Sequence, residues 1–257
     1  MLVLLSCAKT MSAVSKVKVP LTTIPRFQKE AAEIALQMSQ FSVDELERLL
    51  RVNAKIAVEN YKRYQAFHAE TTPELPALLA YTGIVFKRLN PKDFSAEDFG
   101  YAQEHLRLTS FCYGLLRPLD VIRAYRLEGD VVLPELGNQT LFSYWRSRLT
   151  DTFIEDIRSA GGILCNLASD EMKSLFDWKR VESEVRVVTP EFHVWKNGKL
   201  ASIVIYIKMS RGEMTRFILK NRIENPEELK SFSWEGFEFN ASLSDEKKFV
   251  FTNGKEV

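Results

Sequence analysis

Lysine, serine and arginine recur in this chain at the points where apolar runs end. Leu2 to Leu5 lead into Ser6-Cys7-Ala8-Lys9-Thr10, "ILCNL" leads into Ala168-Ser169-Asp170-Glu171, and a run ending at Ile207 leads into Lys208-Met209-Ser210-Arg211-Gly212. In sheets with parallel strands, the loops leaving the carboxyl ends of the strands gather where ligands bind. Ser6, Lys9, Ser169, Glu171, Lys208 and Arg211 are therefore candidates for one cleft. There, cations and the freed amides of a helix start after Ser169 would meet an anion such as phosphate. A fourth segment, "HLRLTSFCYGLLRPLDVIRAYRLE", packs Arg107, Arg117, Arg123 and Arg126 with Asp120 and Glu128 among apolar residues. It admits two readings. Either an Arg–carboxylate lattice pins an irregular loop to the core, or Arg117 and Arg126 join the cleft, since guanidinium forks match phosphate bidentately.

Other chemistries find little support in the spacing. Lys9-Thr10 lacks both glycines of a phosphate-wrapping P-loop. His68, His105 and His193 are isolated in sequence, no Gly-x-Ser-x-Gly elbow occurs, and His105 reads as a core histidine. No His-Glu-x-x-His or Cys-x-x-Cys spacing is present, so neither a metal nor a cofactor is expected. The three cysteines, Cys7, Cys112 and Cys165, are far apart in apolar contexts and read as buried free thiols. Asp170 and Glu171 could do acid–base work beside Lys9, or simply cap a helix.

The apolar opening is too short for an export signal and has no basic segment before it. No later stretch approaches the roughly 18 to 20 apolar residues a membrane span needs. A cytoplasmic protein without membrane contact is expected. The net charge of +1 offers no whole-molecule attraction for a polyanion, so any nucleic-acid case rests on local clustering. Repeats and low-complexity tracts are absent, and 11% aromatic content argues against disorder.

The elements that must position these residues mix helix and strand. The spacing predicts an opening strand, a helix over 26–40, and a helix pair over 42–67 that begins with a capping box at Ser42 and caps again at Asn53. A short helix over 74–80 follows, then a strand in "GIVFKRL" ended by Asn90-Pro91. Ser95 caps a long helix that Gly114 would close. A further helix over 139–159 ends at Gly161-Gly162, and "ILCNL" is a buried strand. "VRVVTPEFHVW" and "LASIVIYIKM" flank Asn197-Gly198 as a hairpin, followed by a helix from about 211 to 221. "FEF" and "KFVF" are strands. The expected fold is a single α+β domain over 1–257, a mixed sheet with surrounding helices.

In that order and spacing, "SCAKT", "QEHLRLTSFCYGLLRPLDVIRAYRLE", "NLASDE", "KMSRGEMTRFI" and "WEGFEF" resemble the YaaA family of bacterial peroxide-stress resistance proteins, across nearly the whole chain. The most specific elements are the Leu-Arg-Pro-Leu-Asp to Tyr-Arg-Leu-Glu block and the Lys-x-x-Arg-Gly-x-Met block. The resemblance implies a cytosolic protein that limits oxidative damage under hydrogen peroxide, with a positively charged cleft suited to DNA. It also implies that the pair over 42–67 is a helix-hairpin-helix-like element, whose Lys55, Lys62 and Arg63 would meet phosphate without reading bases. Cys7, Phe111 and Ala124 replace the Pro, Gly and Pro usual in the family, and "GIVFKRL" lacks the usual acidic residue and glycine. Lys9, Arg117, Asp120, Arg126, Glu128, Lys208 and Arg211 keep the family pattern.

Two functional expectations follow. One is non-sequence-specific binding of double-stranded or distorted DNA through Ser6, Lys9, Arg117, Arg126, Ser169, Lys208 and Arg211, with Asp120, Glu128 and Glu171 as supporting carboxylates. The alternative is an enzyme acting on a nucleotide or nucleobase-like small molecule in the same cleft. Thiol or iron chemistry, which the stress role and the cysteines suggest, is not supported by their spacing.

Overall fold

The computed structural model describes residues 1–254. Its first strand, β1 (Leu2–Leu5), is buried along its whole length, as four consecutive apolar residues require. Three helices follow, α1 (Gln28–Met38), α2 (Val43–Leu50) and α3 (Ala54–Ala66), then β2 (Leu75–Pro76) and the helices α4 (Ala77–Ala80), α5 (Ile84–Leu89) and α6 (Ala96–His105). The middle of the chain forms β3 (Leu106–Ser110), β4 (Gly114–Leu116), the two-residue strands β5 (Val121–Ile122), β6 (Val132–Leu133) and β7 (Gln139–Thr140), and the long helix α7 (Leu141–Ser159). The last part contains β8 (Ile163–Asn166), α8 (Asp170–Lys173), α9 (Trp178–Glu184), β9 (Arg186–Lys196), β10 (Lys199–Ala201), α10 (Val204–Asn221), β11 (Phe237–Phe239) and β12 (Lys248–Asn253).

The principal sheet has the order β11-β12-β9-β8-β1-β3-β4, with β10 paired to β9. β3, β1, β8, β9 and β12 run parallel, whereas β4, β10 and β11 are antiparallel to their neighbours. This mixed sheet with its helices is the expected α+β architecture. β1 lies between β3 and β8, and β8 continues to β9 on its other side. Chain leaving β1 therefore travels one way along the sheet, and chain leaving β8 travels the other. That reversal opens a crevice outside the carboxyl ends of β1 and β8. Buried apolar residues from every part of the chain make one core cluster, from Leu2 through Trp145 to Phe251. Among the described residues, no helix is long and apolar enough to cross a membrane.

Local signals explain several element ends. Ser42 accepts from the Glu45 amide and Glu45 returns the bond, Asn53 accepts from the Ile56 amide, and Ser95 with Asp98 makes a second capping box. Asn197 and Gly198 both take positive φ, the backbone a type I′ hairpin demands.

Four expectations are corrected. "GIVFKRL" contains the helix α5, because Phe86 and Leu89, three apart, are buried on one face while α5 packs along α10. The helix from Ser95 ends at His105, and Leu106–Ser110 is a strand buried on both faces, with Leu106 and Leu108 alternating at the strand period. Gly114 does have φ +70, but it serves the β3–β4 turn, where a Cβ would lie 2.8 Å from the Trp145 ring. The second hairpin strand stops at Ala201 and α10 starts at Val204, so Lys208 to Gly212 lie inside a helix and not at its junction with a strand. Burial of Gly212, Met214, Thr215 and Ile218 against the rest of the fold overrides the β-branched run at 203–207. The short helix expected over 74–80 is divided between β2 and α4.

Candidate functional site

At the crevice, the first residues beyond β1 and β8 are joined directly. The Ser169 amide donates to Ser6 Oγ at 2.9 Å, and the two hydroxyls lie 3.3 Å apart. The Cys7 amide donates to Thr109 Oγ1 on β3 at 3.3 Å, so three adjacent parallel strands fix the floor. Ser169 stands at the N-cap of α8 without bonding a helix amide, and α8 is a single turn. A helix start does follow Ser169, one turn long, with its first amides uncapped by the Ser169 hydroxyl.

A cavity of about 390 Å³ opens above this floor. Ser6, Lys9, Ser169, Glu171 and Arg126 line it together with Lys208 and Arg211. α5 forms one wall through Gly83 to Phe86, and Phe111, Tyr125 and Leu127 form an apolar one. The helix α10 brings in the last two cations because its Gly212 lies against α5. A Cβ there would stand 2.3 Å from the Val85 carbonyl oxygen, so only glycine allows this approach.

The cations fall into two electrostatic settings. Lys9 Nζ donates to Glu128 Oε2 at 2.7 Å, and Arg126 approaches the other oxygen of that buried carboxylate at 3.6 Å. Arg126 Nε and Glu128 Oε1 are themselves buried without a hydrogen-bond partner. Lys208 and Arg211 take part in no ion pair among the described residues. Asp170, whose charge Arg211 feels, is held by Lys173 at 2.8 Å. Burial lowers the pKa of Arg211, with Asp170 opposing, so its guanidinium is partly desolvated yet still charged. Cys7 also lines the cavity, but burial pushes its thiol up to about 12, outweighing the Thr109 hydrogen bond, and leaves it a poor nucleophile at neutral pH. All three cysteines are free.

The arginine-rich segment divides between its two readings. Arg117 grips Asp120 through Nε and Nη2 and reaches the Ile24 carbonyl oxygen, which locks the Pro118 turn. Neither residue lines the cavity. Arg107 pairs with Asp156, and Arg123 with Glu74, so these also belong to the lattice. Arg126 alone of the four lines the cavity, steadied by Tyr64 of α3, whose hydroxyl donates to its carbonyl oxygen at 2.6 Å.

The helix pair α2 and α3 is joined through Arg51, which has φ 51 and pairs with Asp130. Lys55 and Lys62 are exposed, whereas Arg63 is bound to Glu59 and Asn60. His193, isolated in sequence, in fact sits between Ser202 Oγ at 3.1 Å and Glu191 Oε2 at 3.2 Å, tying the hairpin stem to the start of α10.

Sequence reasoning missed the apolar side of the site. Nothing in the spacing singles out Tyr125, yet its hydroxyl bonds Ser110 at 2.6 Å and Tyr81 at 2.8 Å beneath the cavity. Gly83, which heads the strand expected in "GIVFKRL", is the N-cap of α5. A Cβ there would lie 2.9 Å from that of Ala8, so it seats α5 against the β1 loop. A glycine opening an apolar run was the one visible signal.

A family model described as "Peroxide stress protein YaaA" matches residues 1–243. A UPF0246 protein of Bacteroides thetaiotaomicron is 95% identical over 254 residues, covering 99% of each chain. One from Bacteroides fragilis is 79% identical over 255 residues, again covering 99% of each. At greater distance, a UPF0246 protein of Crocosphaera subtropica is 37% identical over 252 residues, 98% of this chain and 99% of its own. Matched in this way along nearly its whole length, the chain belongs to the YaaA family of peroxide stress proteins.

Proposed function

We propose that this peroxide stress protein binds DNA without reading its sequence, holding backbone phosphate in the cleft outside β1 and β8, and that this occurs in the cytoplasm. The observation that carries the reading is the pair Lys208 and Arg211, two cations facing the cavity with no carboxylate of their own. Lys9 and Arg126, held by Glu128, make the cleft basic without adding two further free charges. Ser6 and Ser169 supply hydroxyl donors at its floor. Phosphate contacts of this kind position a nucleic acid and carry no base information. In the same reading α2 and α3 act as the helix-hairpin-helix-like element, with exposed Lys55 and Lys62 as accessory phosphate contacts and Arg63 in a supporting role. Arg117 and Asp120 shape the loop and touch no ligand.

Fluorescence anisotropy of labelled duplex and single-stranded DNA over a salt series tests this. Binding should weaken linearly in log salt, and Lys208→Ala/Arg211→Ala should make the duplex slope shallower by about 1.8, two contacts at about 0.9 each. Absence of binding at low salt sinks the proposal.

One observation favours a second reading, an enzyme acting on a nucleotide. The cavity of about 390 Å³ has small-ligand dimensions, and Glu128 is a buried carboxylate with one oxygen unpartnered beside Lys9. Saturable binding of a free nucleotide, lost in Lys9→Ala and Glu128→Gln, with no affinity for DNA, would replace the first reading with this one.

A further inference from the structure

From Phe192 to Gly212 the chain contains Lys196, Lys199, Lys208 and Arg211 and not one Asp or Glu. This acid-free stretch comprises the end of β9, the Asn197-Gly198 turn, β10 and the first half of α10. It also carries an exposed apolar group: Val204 is 64% exposed, Ile205 49% and Tyr206 38%, with Leu200 at 38% on the hairpin. Residues three or four apart on a helix are neighbours on its surface. Val204, Lys208 and Arg211 thus make one stripe along α10, with Ile205 beside Lys208, and its last two members line the cavity. The stripe runs from the exposed first turn of α10 into the cleft. His193, held between Ser202 and Glu191, ties the hairpin to the same turn.

Cations interleaved with exposed apolar side chains suit a nucleic acid whose bases are out of the stack. The ammonium groups meet phosphate while apolar and aromatic side chains cover base faces or wedge between steps. Paired duplex keeps its base faces stacked and presents only base edges in its grooves.

We propose that the β9–β10 hairpin and the first turns of α10 form a guide for single-stranded or locally unpaired DNA, with Lys196 and Lys199 on its phosphates and Val204 and Ile205 against splayed bases, feeding one nucleotide toward Lys208 and Arg211. This inference rests on the reading of the cleft as a DNA site and adds the form of DNA it takes.

The test uses the full chain and a labelled single strand of about 20 nucleotides, a length that spans several stacking positions. Lys196→Ala/Lys199→Ala should flatten the salt slope by about 1.4, two single-strand contacts at about 0.7 each. Val204→Ser/Ile205→Ser should weaken binding about tenfold with an unchanged slope. A 2-aminopurine in the strand should brighten with wild type and not with the apolar double variant. A measurement on wild type alone guards against misfolded variants: acetylation of Lys196 and Lys199 should be blocked by the strand, while Lys247, by the opposite end of β9, stays reactive. Wild type that binds DNA, with hairpin variants unchanged and both lysines still reactive, overturns the guide and leaves the cleft reading standing. Wild type that binds neither strand nor duplex overturns both, as does preference for vesicles of phosphatidylglycerol and phosphatidylcholine over the oligonucleotide.

Discussion

Glu128 decides how many of the cleft cations are free. Its carboxylate holds Lys9 at 2.7 Å and stands 3.6 Å from Arg126. Under the DNA proposal, Glu128→Gln should release both, steepening the salt slope of duplex binding by about 0.9 or more. Under the nucleotide-enzyme reading the same change should abolish turnover, so one variant assayed both ways separates the two. Cys7 and Cys165 carry a different consequence. Burial raises each thiol to about 12, from a value near 9 in the unfolded chain. The folded state therefore binds the proton more tightly, and stability is complete below about pH 9 and falls as pH rises toward 12. Each thiol should contribute up to about 1.4 kcal/mol per pH unit within that window. Urea unfolding at pH 8 and pH 10.5 should show a smaller difference in Cys165→Ala than in wild type.

Helix contacts form the cleft, and two of them can be broken singly. Gly212 lets α10 lie against α5, which together supply Val85, Phe86, Lys208 and Arg211 to the cavity. Gly212→Ala would place a methyl 2.3 Å from a backbone oxygen, so the helices must separate. The expected cost is about 2 kcal/mol or more, read by thermal unfolding, with DNA affinity falling alongside it. Asp98 anchors the far end of α10. Burial pushes its carboxyl upward, but Lys220, the Ser95 amide and Arg222 outweigh this and hold it well below the usual carboxylate range. A lowered carboxylate stabilises the fold above its unfolded pKa and loses that contribution as pH falls below about 4. Asp98→Asn should cost about 3 kcal/mol at pH 7 and less at about pH 2, because the contribution starts to fall below about pH 4 and is lost only as pH drops through the strongly lowered folded value. Chemical denaturation at the two pH values checks it.

A chain of net charge +1 has no general attraction for DNA, so under the DNA proposal binding must come from a few phosphate contacts. With about four such contacts, affinity should drop on the order of a hundredfold between 50 and 200 mM salt. Cys112 and Cys165 are buried, Cys7 is half-buried at the cavity, and all three are free, which sets the prediction for cells. A chain with Cys7, Cys112 and Cys165 replaced by Ala should restore peroxide survival to a strain lacking the protein, provided it folds. Lys208→Ala/Arg211→Ala should not. The reverse outcome, measured as survival after a hydrogen peroxide challenge, would shift the mechanism to thiol chemistry.

By itself the amino-acid sequence determined the features that depend on neighbours along the chain. The capping boxes at Ser42 and Ser95, the Asn197-Gly198 turn, the buried strands β1 and β8 and the paired tail strands all follow from local hydrogen bonding and side-chain period. Ser6, Lys9, Ser169 and Glu171 were legible for the same reason, as polar residues just beyond apolar strands. Only the tertiary structure decided the rest. "GIVFKRL" and "SIVIYIKM" contain apolar runs that fit helix and strand alike, and packing against a partner element chose between them. Arg117 and Arg126 are equally placed in sequence, yet Asp120 claims the first and the cleft receives the second. Lys208 and Arg211 reach the cavity from within a helix because a glycine contact between α5 and α10 brings that helix over the strand ends, a nonlocal fact that no window of sequence contains.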